Sequence, residues 1–184
     1  GIYFLCSHLG NINAMRAFFR SGEIVDDIKV NLFLEAKQCQ VFKNFINSIS
    51  SDNPITTYSV DNIDVTTSIE IKEKIDNGEI LFIAGDRVSA HNENAMFISD
   101  FLGQKMGFPI GAFKFALILD APIYFIACTL EKGGKYKIHL QKFDFFGTRK
   151  EKLQTLETQY VQFLENLTKK YPLQLYHFYD FFLG

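Results

Sequence analysis

Ile2-Tyr3-Phe4-Leu5-Cys6-Ser7-His8-Leu9-Gly10-Asn11 carries the clearest signal of the fold class. Ile2 to Ser7 carries no charge and does not alternate, so it reads as a strand buried on both faces rather than on one. Asn11 to Phe19 then sets Ile12, Met15, Phe18 and Phe19 at helical spacing. A doubly buried strand running straight into a helix is the opening of an α/β layer fold.

The same alternation continues along the chain. Lys29 to Leu34 reads as a strand with Val30, Leu32 and Leu34 on one face, and Gln38 to Ile49 as an amphipathic helix. Ile55 to Val60 is a short strand. Thr67-Ser68-Ile69-Glu70 has the form of a capping box opening a helix that stops at Asn77-Gly78. Glu79 to Ala84 is a buried strand broken by Gly85. Residues 86–107 read as polar and glycine-rich matter around Phe97-Ile98-Ser99-Asp100-Phe101-Leu102, and Ile110 to Leu119 as a helix after Pro109. Ala121 to Leu130 and Lys135 to Phe143 form a hairpin through Lys132-Gly133-Gly134. Arg149 to Lys170 is a long amphipathic helix, followed by an aromatic tail from Tyr171 to Gly184. The expected architecture is one domain over 1–184, α/β, with a mostly parallel or mixed central sheet flanked by helices.

Composition narrows the function. The chain has 184 residues and a net charge of −2, with 47% hydrophobic and 22% charged residues, which suits a globular domain and not a nucleic-acid binder. No apolar stretch approaches the roughly 18 to 20 residues of a membrane span, because Phe113 to Ala127 is broken by Lys114, Asp120 and Pro122. Cys6, Cys39 and Cys128 form no CxxC pair, which argues against a zinc ribbon or disulfide framework and for a reducing compartment. Phe is abundant at 20 residues and Trp is absent, so the chain has a large aromatic core or apolar surface to offer.

The residues able to carry chemistry gather at strand ends, where such sheets bind ligands. His8, at the first strand-to-helix turn, is placed to act as a general base, and Asn13 stands at an offset from which it can orient the imidazole. The bland alternative is a turn histidine with a satisfied ring. Asp86-Arg87 follows a strand, where Arg87 can bind a phosphate or carboxylate or merely pair with its neighbour. Phe108-Pro109-Ile110-Gly111 reads as a tight turn with backbone N–H groups for an anion, or as a plain helix start. His91 offers, with His8 and Asp86, a possible metal set whose spacing matches no zinc or iron motif, and no metal is expected. His139, in an expected strand, reads as structural. Lys132, Lys135, Lys137 and Lys142 give the hairpin a basic face, either simply solvated or suited to anionic headgroups.

Four blocks in order resemble the bacterial lipid A biosynthesis (lauroyl/myristoyl) acyltransferases of the lysophospholipid acyltransferase superfamily. They are His8-Leu9-Gly10-Asn11-Ile12-Asn13 with Arg16, then Gly85-Asp86-Arg87, then Phe101-Leu102-Gly103 with Phe108-Pro109-Ile110-Gly111, then Ala121-Pro122-Ile123. Tyr171-Pro172-Leu173-Gln174 with Tyr176 to Phe182 is similar to that family's aromatic C-terminal signature, although Leu175 and Phe182 stand where Trp is expected. The resemblance implies a glycerol-phosphate-acyltransferase-like fold. It implies transfer of a fatty acyl group from an acyl-carrier-protein or coenzyme A thioester to a hydroxyl of a lipid or glycolipid, with no cofactor. His8 would be the general base, Arg16, Asp86 and Arg87 would lie at the substrate, and Phe108, Pro109 and Gly111 would shape the acceptor site. The place implied is the cytoplasmic face of the inner membrane, by peripheral contact, or the cytoplasm.

Two departures stand out. Asn13 occupies the place of a family carboxylate, so Asp86 supplies the acid instead, or the rate is low, or the chain binds acyl chains or acyl carrier protein without turnover. A hydrolase on the same scaffold is a third reading. Only seven residues precede His8, where the family carries a hydrophobic anchor, so the chain is expected to lack that segment.

Overall fold

The computed structural model describes residues 1–11, 28–36, 38–39, 55–88 and 94–183. The helices expected over Asn11–Phe19 and Gln38–Ile49 fall almost wholly outside them.

The uncharged opening stretch forms β1 (Ile2–Gly10), near the middle of a six-stranded sheet. Parallel to it lie β4 (Ile80–Ala84) on one side and β7 (Ile123–Leu130) on the other. Beyond β4 come β2 (Val30–Leu34) and β3 (Ile55–Ser59), also parallel, while β8 (Tyr136–Lys142) closes the far edge antiparallel to β7. The order is β3-β2-β4-β1-β7-β8, an α/β fold with a mostly parallel sheet.

Burial on both faces explains the charge-free central strands. Tyr3, Leu5, Leu81, Ile83, Phe125 and Ala127 feed one core, and Phe4, Cys6, Leu32, Phe82, Ile126 and Cys128 the other. Among the described residues three helices cover the first core: α1 (Val65–Asp76) through Ile71 and Ile75, α2 (Ile110–Leu119) through Phe113 and Leu119, and α3 (Arg149–Lys170) through Leu156, Tyr160 and Leu164. Each such buried side chain contributes roughly 1.5–3 kcal/mol. Tyr160 is the hub. Its ring meets Phe108, Phe113 and Phe125 edge-on, and its hydroxyl donates to the Cys6 carbonyl at 2.8 Å.

Three expectations change. The polar reading of residues 86–107 hides a hairpin, β5 (Met96–Phe101) and β6 (Gln104–Pro109), turned by Leu102 and Gly103 at φ 53° and 83°. Two positive φ values in a two-residue loop are what a type I′ turn requires, and Leu102 is an unusual residue to supply one. Its N–H is held by Glu165 Oε1 at 3.1 Å. Helix α1 begins at Val65, not at a Thr67 capping box; Asp64 is the cap, accepting from the Thr67 N–H at 2.7 Å. The capping box lies instead on α3, between Thr148 and Glu151. Finally, β1 continues past Ser7 to Gly10, so His8 lies inside a strand.

That continuation is irregular in a useful way. Cys6 pairs with Ile126 and Gly10 with Cys128, so three residues of β1 stand opposite one of β7. The extra residues bulge, and bulges re-aim side chains beside active sites. Gly10 closes the bulge at φ 77°, where a Cβ would lie 2.1 Å from the Cys128 carbonyl oxygen. From β1 the chain next enters this sheet two places to one side, at β2; from β4 it next enters two places to the other, at β7. The carboxyl ends of β1 and β4 therefore lie together where the strand order reverses, the usual ligand-binding crevice of open α/β sheets.

Candidate active site

Cys6 pairs with Ala84, so His8 and Asp86 emerge side by side just beyond the paired ends of β1 and β4. Asp86 is fully buried and accepts three N–H groups. Its Oδ2 takes the His8 backbone N–H at 2.6 Å and His177 Nε2 at 2.8 Å, and its Oδ1 takes His8 Nδ1 at 2.9 Å. Burial alone would push this carboxyl up. At the acid pH where it would take a proton both imidazoles are cations, and the charge on His8, the hydrogen bonds from His177 and His8, and the charge on His177 outweigh burial and hold the group well below the ordinary carboxylate range. An ionised Asp86 fixes the tautomer of His8: Nδ1 carries the proton and Nε2 the lone pair. The His8 ring is 29% exposed, and among the described residues its Nε2 has no hydrogen-bond partner. A base with its orienting carboxylate behind it and its free nitrogen turned outward is the arrangement general-base catalysis uses.

Gly85 sets the spacing of this pair. A Cβ there would sit 2.9 Å from Leu5 Cδ1 and 3.2 Å from Tyr160 Cζ, so glycine lets the β4 end lie flush against β1 and the tyrosine. The Gly85 N–H donates to the Cys6 carbonyl at 3.0 Å, the same oxygen that Tyr160 binds.

The aromatic tail closes the site from outside. The Tyr176 N–H donates to the His8 carbonyl at 3.1 Å, Leu175 bridges to Leu9, and Gln174 makes paired bonds to the Leu130 backbone at 2.8 and 2.9 Å. Further on, Phe182 bridges to Met106 on β6. Arg87 does not pair with Asp86. One guanidinium NH₂ donates to the Tyr176 carbonyl, the guanidinium lies 5.8 Å from the Tyr179 ring centre, and its buried Nε has no hydrogen-bond partner among the described residues.

Of the residues singled out from the sequence, His8, Asp86 and Arg87 come together here. Phe108 does not face the site. Its ring is fully buried against Phe97, Phe101 and Tyr160, so it offers no side-chain surface to a substrate. The expected tight turn over Phe108 to Gly111 is the end of β6 running into α2. The Ile110 N–H there is taken by the Ala95 carbonyl at 3.1 Å, and Pro109 caps α2 without a side-chain bond. Gly111 faces open space. Asn13, Arg16 and His91 lie outside the described residues. His139 bonds Thr129 Oγ1 at 2.8 Å between β7 and β8.

His177 is the participant that sequence reasoning missed. Its only signal is one imidazole within an aromatic run, Tyr176-His177-Phe178-Tyr179, and its partner lies 91 residues away. His8, Asp86 and His177 also present one donor atom each within 4.8 Å of one another, a two-histidine, one-carboxylate set of the kind that holds a divalent transition metal. The 2.8 and 2.9 Å separations of Asp86 from the two imidazoles are hydrogen-bond lengths.

Neither a scan against protein-family models nor a search of the curated proteins finds a match to this chain.

Proposed function

We propose that this chain is an acyltransferase of the glycerol-phosphate-acyltransferase-like type. It moves a fatty acyl group from an acyl-carrier-protein or coenzyme A thioester to a hydroxyl of a lipid or glycolipid acceptor, as in lipid A biosynthesis. The observation that carries the reading is the His8–Asp86 pair at the crevice between β1 and β4, with Nε2 of His8 unbonded among the described residues. The resembling blocks support it: two meet at this crevice, and the aromatic tail folds back onto the His8 backbone.

In this mechanism the acceptor hydroxyl donates to His8 Nε2. As its oxygen attacks the thioester carbonyl carbon, the proton passes to the imidazole, and Asp86 stabilises the cation formed. The tetrahedral intermediate collapses, the C–S bond breaks, and the imidazolium returns its proton to the departing thiolate. Arg87 meets an anionic group of a substrate. Reaching a lipid acceptor requires a surface that meets lipid. Leu173 and Phe178, 93% and 86% exposed, supply apolar anchors, and the lysines around the β7–β8 turn supply charge for anionic headgroups, on the cytoplasmic face of an inner membrane. No helix among the described residues is long and apolar enough to cross a membrane.

Binding of acyl chains without turnover is the weaker reading, because its motive was the missing carboxylate at Asn13, and Asp86 stands on His8 Nδ1 instead. The test is thiol release from long-chain acyl-carrier-protein and acyl-CoA with membrane lipid as acceptor, comparing wild type with His8→Ala. Release and a labelled lipid product that both vanish in His8→Ala are expected. A folded wild type that releases no thiol overturns acyl transfer in favour of binding, and release without a lipid product makes the chain a hydrolase.

A further inference from the structure

We propose that His177, carried by the C-terminal tail, is a positioning residue that acts on His8 through Asp86; this rests on His8 being the general base. The His177 side chain is completely buried, with Nε2 2.8 Å from Asp86 Oδ2. Its ring stacks on Tyr179 at 5.6 Å, meets Phe181 edge-on at 4.9 Å, and lies 5.9 Å from the His8 ring. Nδ1 is buried and has no partner among the described residues, whereas Nε2 lies at hydrogen-bond distance from Asp86, so the ring proton belongs on Nε2, donated to Asp86.

The geometry assigns each Asp86 oxygen a task. Oδ2 is held by two donors, the His8 backbone N–H and His177, one from β1 and one from the tail. That leaves Oδ1 turned to His8 Nδ1. Without the His177 N–H, a fully buried carboxylate keeps, among the described residues, one donor besides the imidazole it must orient. Its ionised form is then less well satisfied and its plane is no longer fixed from two sides. The tail therefore does more than cover the site: it supplies one of the three hydrogen bonds that hold the base's partner.

Two substitutions separate this role from packing. His177→Phe keeps an aromatic ring between Tyr179 and Phe181 but removes the N–H. His177→Gln keeps an N–H donor and loses the ring. Both are read by kcat and KM, and by the ¹⁵N NMR signals of the neutral His8 ring, which report which nitrogen holds the proton. The expected result is a kcat lowered about 10- to 100-fold in His177→Phe at unchanged KM, the scale seen when an outer hydrogen-bond partner of a metal-bound imidazole or carboxylate is removed, and kcat within a few-fold of wild type in His177→Gln. His8 should hold its proton on Nδ1 in the wild type and in His177→Gln, and exchange between the two nitrogens in His177→Phe. Equal losses in the two variants, or a His8 ring unchanged in His177→Phe, overturn the proposal. The NMR result stands without turnover, so a wild type that transfers no acyl group refutes the acyltransferase reading and leaves the positioning of His8 by His177 separately decided.

Discussion

Replacing Asp86 by Asn isolates the charge and acceptor pattern of the site with little change of shape. An asparagine has one carbonyl oxygen and one NH₂ group, and the surroundings dictate which goes where. The position of Oδ2 faces the His8 backbone N–H at 2.6 Å, a donor that cannot reverse, and His177 Nε2 at 2.8 Å. The carbonyl must take that place. The NH₂ then faces His8 Nδ1, which has to accept, so the ring proton moves to Nε2 and the base is lost. In the serine-protease template the same change of tautomer costs about 10⁴ in kcat, equivalent to about 5.5 kcal/mol. We expect thiol release by Asp86→Asn to fall about 10³- to 10⁴-fold. Stability should fall by only about 1–3 kcal/mol, since every hydrogen bond survives with its charge assistance removed. Thioester assays, urea unfolding and ¹⁵N NMR of the His8 ring measure these quantities. A variant that keeps a tenth of wild-type activity, with the His8 proton still on Nδ1, refutes the reasoning.

Acid unfolding gives a second check on the same carboxyl. Its pKa is depressed in the fold, so its contribution is full above the unfolded value, about 3.9, and is lost as pH falls from there toward the folded value, because the unfolded chain takes up the proton first. Wild type should therefore lose stability more steeply than Asp86→Asn below about pH 4, by up to about 1.4 kcal/mol per pH unit, and parallel acid limbs would count against an ionised Asp86. Gly85→Ala must displace Leu5 or Tyr160, which we expect to cost about 1–3 kcal/mol and to lower the melting temperature by about 2–4 °C per kcal/mol, measured by calorimetry. Asn13→Glu should change kcat/KM by less than about tenfold, since one nitrogen of His8 already holds Asp86 and the other must stay free; a larger gain would show that Asp86 is not the working acid.

Local pattern settles the set of elements and their class. The unbroken apolar run in β1 and the one at Ile80–Ala84 demand burial on both faces, which only a parallel sheet between layers provides. The periodicity of Arg149–Lys170 and the Gly133-Gly134 turn are local properties, and both are found where the pattern puts them. His8 and Asp86 were visible as candidates because each sits beside a strand end with special residues. Local signals failed where the partner was distant. The β5–β6 hairpin turns through Leu102, a residue no turn rule selects, held by Glu165 on α3. Phe108 resembled a site residue, yet the packing of Tyr160 draws it into the core. It takes the folded chain to show that Asp86 serves His8 rather than Arg87, and that His177 completes the set. Those bonds span 78 and 91 residues and depend on the strand order β4-β1-β7 and on the bulge after Cys6. Periodicity records which face of an element is buried; it carries no record of which strand end will lie beside which.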